Sequence, residues 1–229
     1  MNDMTIDQML EKFKQFHQMY EERRKQGKDI GIITKEFESK RNNIFFVDTD
    51  YVPSASQLLE FSKKMANQVT KEITRISGKY LSALIRACPD KEITLDLSQL
   101  NKKGILLDYL CDGLEKKTVT MNGNVGCAVG YFAENSSIVV NGNAGYGVAL
   151  CAKNLNIIIN GNAKSAVGDN AKYSKITING NTEGFIGYHA RNSKIYITGG
   201  IEKGSMDLAL EGTEIYQMQN GVYVRVWPR

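Results

Sequence analysis

Apolar residues recur along this chain in two rhythms, and the change of rhythm near residue 90 divides it. From residue 5 to 26, Ile6, Met9, Leu10, Phe13, Phe16, His17 and Tyr20 fall three and four positions apart, with Asp7 and Glu11 in the first turns. That spacing predicts a helix with one adhesive face. Gly27 ends it. The stretch from Ile30 to Asp50 admits a short strand, a helix over 34–41 or an extended Ile44-Phe45-Phe46-Val47. After Pro53, Ser54 can cap a second helix through Leu58, Phe61, Met65, Val69, Ile73 and Ile76. Gly78 is a point of interruption before Tyr80, Leu81, Leu84 and Ile85 resume the helical spacing, and Cys88-Pro89 stops it.

Past residue 90 the rhythm shortens to two and the chain repeats itself. Asn-Gly-Asn stands at 122–124, 141–143, 160–162 and 179–181, Thr198-Gly199-Gly200 follows, and Gly123, Gly142, Gly161, Gly180 and Gly199 are each 19 residues apart. A fixed period of that length marks a solenoid. Before each glycine comes a β-branched triplet: Ile138-Val139-Val140, Ile157-Ile158-Ile159, Ile176-Thr177-Ile178 and Ile195-Tyr196-Ile197, with Val119 and Met121 in the same columns one coil earlier. The outer two of each triplet face in, and the middle ones, Thr120, Val139, Ile158, Thr177 and Tyr196, face out as a stripe. Val129, Val148, Val167, Ile186 and then Ser205 form a second inward ladder, and Ala133, Ala152, Ala171, Ala190 and Ala209 leave room for a methyl group only. These columns predict a right-handed parallel β-helix of 19-residue coils, with strands stacked about 4.8 Å apart. Gly and Asn suit its turns because they tolerate positive φ, and stacked asparagines can form amide ladders. The left-handed hexapeptide helix needs an aliphatic residue at every sixth position, whereas counting from Ile176 lands on Thr182, Tyr188 and Lys194.

Ile93-Thr94-Leu95-Asp96-Leu97 alternates like the later strands, but Ile93 stands 26 residues before Val119, one coil plus seven. We read an irregular first coil with a short helix around Leu106–Leu114. A β-helix exposes unpaired strand edges and an open apolar core at its ends. Residues 1–90 are the expected helical cap of the solenoid at 91–212. Residues 213–229, with Asn220-Gly221 between two strand-like runs, are the expected hairpin cap at the other end. The fold class is mainly β with an α-helical N-terminal region.

Charge and candidate chemistry change this picture little. The 29 Lys and Arg against 25 Asp and Glu give a net charge of +4, interspersed in sign, and Arg23-Arg24-Lys25 reads as a solvated helix end, so neither nucleic acid nor membrane is an expected partner. The N-terminus lacks the basic and apolar regions of a signal peptide, which predicts a cytoplasmic protein. Cys88, Cys111, Cys127 and Cys151 lack metal-ligand spacing and read as buried free thiols. His189, beside Tyr188 and one coil from Asp169 and Asn170, is the one acid–base candidate, but Asp169 occupies the neighbouring column and should diverge from it. Asp169 with Asp207, and Glu183 with Glu202, share columns without an aromatic sugar platform. The glycine-rich turns lead into strands rather than helices, against phosphate binding. No catalytic, cofactor-binding or metal-binding set is expected.

The run Gly123-Asn124-Val125-Gly126-Cys127-Ala128-Val129-Gly130, followed by Gly142-Asn143-Ala144-Gly145, resembles the GXGXG repeat family. That family comprises the C-terminal β-helix domain of the glutamate synthase large subunit and the corresponding β-helical chain of formylmethanofuran dehydrogenase. The resemblance covers about residues 93–212. Lys164 and Glu183 replace the second glycine and Ala149 the third, while Gly168 and Gly187 keep it. It implies a non-catalytic structural or docking subunit of an oxidoreductase complex. Two alternatives stand beside it, a self-associating scaffold and a β-helix enzyme using His189. Contact is expected along the outward stripe, covered either by the chain's own helix through Leu10, Phe13 and Phe16 or by a protein partner, another copy included.

Overall fold

The computed structural model describes residues 5–26, 52–201, 209–210 and 212–228. Gly27, the 30–50 stretch, Glu202, Ser205 and Asp207 lie outside the described residues.

Seven strands stack in parallel, one per coil: β1 (Glu92–Asp96), β2 (Thr118–Asn122), β3 (Ser137–Asn141), β4 (Asn156–Ile159), β5 (Lys175–Ile178), β6 (Lys194–Ile197) and β7 (Glu214–Gln219). β8 (Val222–Trp227) turns back antiparallel on β7, so the sheet runs in order from β1 to β8. The result is a parallel β-solenoid of about five turns from β2 to β7, preceded by the irregular first coil that starts at β1. Its register puts like on like: Val119, Ile138, Ile157, Ile176, Ile195 and Ile215 form one fully buried column, and Met121, Val140, Ile159, Ile178 and Ile197 the next. The ladder Val129, Val148, Val167 and Ile186 is also fully buried, and so are Ala133, Ala171 and Ala190.

The turns work differently from the sequence reading. Of the five repeat glycines, Gly123 alone has a positive φ; left-handed residues fill other columns instead. Tyr109, Ala128, Gly147 and Ala166 make one corner, Cys111, Gly130, Ala149, Gly168 and Gly187 the next, and Lys116, Asn135, Asn154, Tyr173 and Asn192 another. The repeat glycines are required by crowding along the axis. A Cβ on Gly161 would lie 2.6 Å from the Gly142 carbonyl oxygen, and one on Gly142 would lie 2.6 Å from that of Gly123. Asparagine ladders do form: Asn141, Asn160 and Asn179 each donate through Nδ2 to the Oδ1 of the asparagine one coil earlier, at 2.8, 2.9 and 2.8 Å. In a second ladder Asn124, Asn143 and Asn162 accept the backbone N–H of Asn143, Asn162 and Asn181.

The first coil contains its seven extra residues at a different place from the one expected. They lie between β1 and Leu107, in the segment that contains the five-residue α4 (Ser98–Lys102), whereas 106–114 follows the ordinary corner pattern, with Tyr109 and Cys111 left-handed. The N-terminal cap comprises α1 (Ile6–Lys25), α2 (Ala55–Lys64) and α3 (Thr74–Ala87), joined to the solenoid in one apolar core. Ser54 caps α2 with a full capping box, and α2 lies along β1, where Ser62 Oγ accepts the Asp96 N–H at 2.9 Å. The expected continuous helix breaks at 65–73 into two short 3₁₀ turns, Met65–Asn67 and Lys71–Ile73. Gly78 does not interrupt it: the residue sits inside α3, where a Cβ would overlap the Asp108 carbonyl, so the glycine serves to bring helix and coil together.

Candidate interaction surfaces

The outward stripe of Thr120, Val139, Ile158, Thr177 and Tyr196 is half-buried throughout. Helix α1 does not cover it. Phe13 is fully buried against Phe61 and Tyr80, with ring centroids 5.5 and 5.0 Å away, and His17 Nε2 lies 3.1 Å from Ser77 Oγ. The adhesive face of α1 is therefore spent on the helical cap. At its far end the stripe is continued by this chain, since Tyr216 stacks on Tyr196 at 4.9 Å and Tyr223 meets Tyr196 edge-on at 5.2 Å.

Large exposed aromatic groups stand elsewhere, on the turns. Tyr173 is 59% exposed in the column of Lys116, Asn135, Asn154 and Asn192; Tyr146 is 49% exposed and Phe185 56%, four and five residues after their repeat glycines, in adjacent columns that otherwise contain Cys127, Ser165 and Gly184 or Ala128, Gly147 and Ala166. Lys164 Nζ lies 5.1 Å from the Tyr146 ring centroid, and Tyr188 lies 6.1 Å from Phe185. On another rim Glu115, Glu134, Lys153, Lys172 and Arg191 bridge coil to coil in one exposed column, two acids followed by three bases. The period that makes the core legible conceals these groups, because a departure from a column is informative only when the column's orientation is known.

The acid–base candidates lie on turns, not on strand faces. Burial pushes the Asp169 carboxyl up to about 6, opposed by the Tyr188 backbone N–H and, more weakly, by electrostatic attraction to His189. Of the four free thiols Cys88 and Cys111 are buried as expected, but Cys127 and Cys151 lie on turns and are only half-buried; partial burial still pushes the Cys151 thiol up, the opposite of an activated nucleophile. A second buried charge sits where α3 meets the first coil. Asp112 is 1% exposed, with Lys79 Nζ 3.7 Å from Oδ2 and its carbonyl accepting from Arg86, and burial pushes its carboxyl up to about 6. This pair ties the cap to the solenoid. Among the described residues there is no group of three or more His, Cys, Asp or Glu that could hold a metal, and no helix is long and apolar enough to cross a membrane.

No family model, curated protein or solved structure matches the chain.

Proposed function

We propose that this chain is a non-catalytic docking subunit, with Tyr146 and Phe185 on the turn face as its principal anchors and the Val139–Ile158 part of the stripe as a second contact. The observation that carries this reading is the exposure of Tyr146 and Phe185 in adjacent columns of one turn face, on a stacked backbone. Exposed tyrosines on a preorganised scaffold are typical interface anchors, because little side-chain entropy remains to be lost on binding. The GXGXG resemblance gives the partner class, an oxidoreductase assembly in the cytoplasm. The test is affinity purification from the native cell with the parent chain and with a Tyr146→Asp/Phe185→Asp variant of unchanged thermal midpoint. The expected result is a defined set of oxidoreductase subunits recovered by the parent and lost by the variant. An unchanged set would reject the turn face, and loss with Ile158→Lys alone would move the contact to the strands.

A further inference from the structure

β8 is the last strand of the sheet, and its outer edge has no strand partner among the described residues. The opposite edge, at β1, is covered by α2. Edge strands are normally blunted by charge or proline because a free row of N–H and C=O groups is a template for pairing. β8 instead reads Val222-Tyr223-Val224-Arg225-Val226-Trp227, with Val222 61%, Tyr223 39% and Val224 38% exposed.

Backbone polarity along this edge follows from the hairpin. Asn220 and Gly221 both have positive φ, 50° and 83°, which marks the two-residue turn that suits hairpins. Gln219 and Val222 flank it and exchange both backbone bonds. By alternation, so do Gln217 and Val224, while Tyr223 and Arg225 turn their N–H and C=O groups away from β7. The five residues 222–226 are also self-complementary about Val224: the valines at 222 and 226 are symmetric, and Tyr223 and Arg225 exchange places, a ring for a cation.

We infer that β8 pairs antiparallel with β8 of a second copy about a two-fold axis through Val224. In that register Tyr223 of each copy lies opposite Arg225 of the other, so the outward backbone groups form four hydrogen bonds and each guanidinium meets a tyrosine ring. Val222 faces Val226 twice, and Val224 faces itself. Each guanidinium already has the Glu214 carboxylate 3.4 Å away, so the axis does not bring two bare cations together. The bulge between Arg225 and Trp227 and the missing N–H of Pro228 limit the pairing to this short stretch. Because the β1 end is closed by helices, the contact is isologous and stops at two copies. This inference is independent of the turn-face reading, since a chain that never docks elsewhere could still dimerise.

Sedimentation velocity of the full chain from micromolar to hundred-micromolar concentration should show a dimer. Val224→Lys, which sets two cations on the axis, should give a monomer with unchanged circular dichroism and, at concentrations where the parent is also monomeric, an unchanged thermal midpoint. A single-cysteine test fixes the register. Val224 of the two copies would form a non-hydrogen-bonded pair with Cα atoms about 4.5 Å apart, within disulfide reach. Val222 of the two copies would be about 13 Å apart along the strand. Val224→Cys should therefore cross-link to a covalent dimer under mild oxidation, beyond any background from the native thiols, and Val222→Cys should not. A parent chain that stays monomeric, a dimer that survives Val224→Lys, or equal cross-linking at 222 and 224 would each overturn the assignment.

Discussion

At the scale of single residues, side-chain volume along the axis decides what each column tolerates. A Cβ at Gly161 would meet the Gly142 carbonyl oxygen at 2.6 Å, and that backbone is pinned on both sides, where the Asn141 and Asn143 carbonyls accept the Gly123 and Val125 N–H groups of the preceding coil. Gly161→Ala should therefore destabilise the chain by about 1–3 kcal/mol, the scale of overpacking. Thr177→Ala, on the half-buried outward column, should stay within about 0.5 kcal/mol. Denaturant unfolding of both variants checks this, and equal effects would mean that the coils are not held at strand spacing by the glycine column. The columns themselves could be read from the sequence because burial selects Ile and Val at every inward position. The cause of the glycines could not, since crowding between backbones 19 residues apart and a left-handed φ both select glycine. It takes coordinates to tell them apart.

At the scale of elements, α1 was recognisable from its spacing, but its destination was not, because an apolar face states only that something covers it. Its partners are Phe61 and Tyr80 on the neighbouring helices. Gly78 misled for a related reason: as a helix breaker it suggested an end, whereas the close approach of Asp108 explains it within an intact α3. The packing of α1 has a pH consequence. Burial holds His17 down at about 4, from an ordinary value of 6.5, with its Nδ1 unpartnered and buried. The unfolded chain therefore binds a proton at His17 between about pH 6.5 and 4 while the folded chain does not. This group's contribution to stability is full above 6.5 and falls as the pH drops toward 4. Asp112 acts in the opposite sense, since its raised carboxyl costs stability as the pH rises from about 4 to 6. The His17 part is isolated by difference: the thermal midpoint of His17→Gln should fall less than that of the parent between pH 6.5 and 4.5. Parallel curves would mean that His17 is not held neutral in the folded cap.

At the scale of the whole molecule, the helical cap and the solenoid share one apolar core, yet each coil touches only its neighbours. In such a stack, stability is approximately a sum of coil and interface contributions, so a local defect should weaken the structure near itself before it weakens the far end. Phe13 is a clean probe, being fully buried in the cap and separated from β6 by the length of the sheet. Phe13→Ala should cost about 3–5 kcal/mol where it sits. In hydrogen exchange followed by mass spectrometry, amides of α2, α3 and β1 should lose protection, with progressively smaller losses through β2 and β3 and none in β5 and β6. Ile197→Ala should give the mirror gradient, strongest in β6 and β7 and absent from α2. The asparagine ladders cross every coil boundary from Asn122 to Asn179, so they are the link that could spread the defect. Uniform loss of protection across all the coils from either variant would show that those ladders and the continuous core couple the solenoid into a single cooperative unit, and would overturn the coil-by-coil account of its stability.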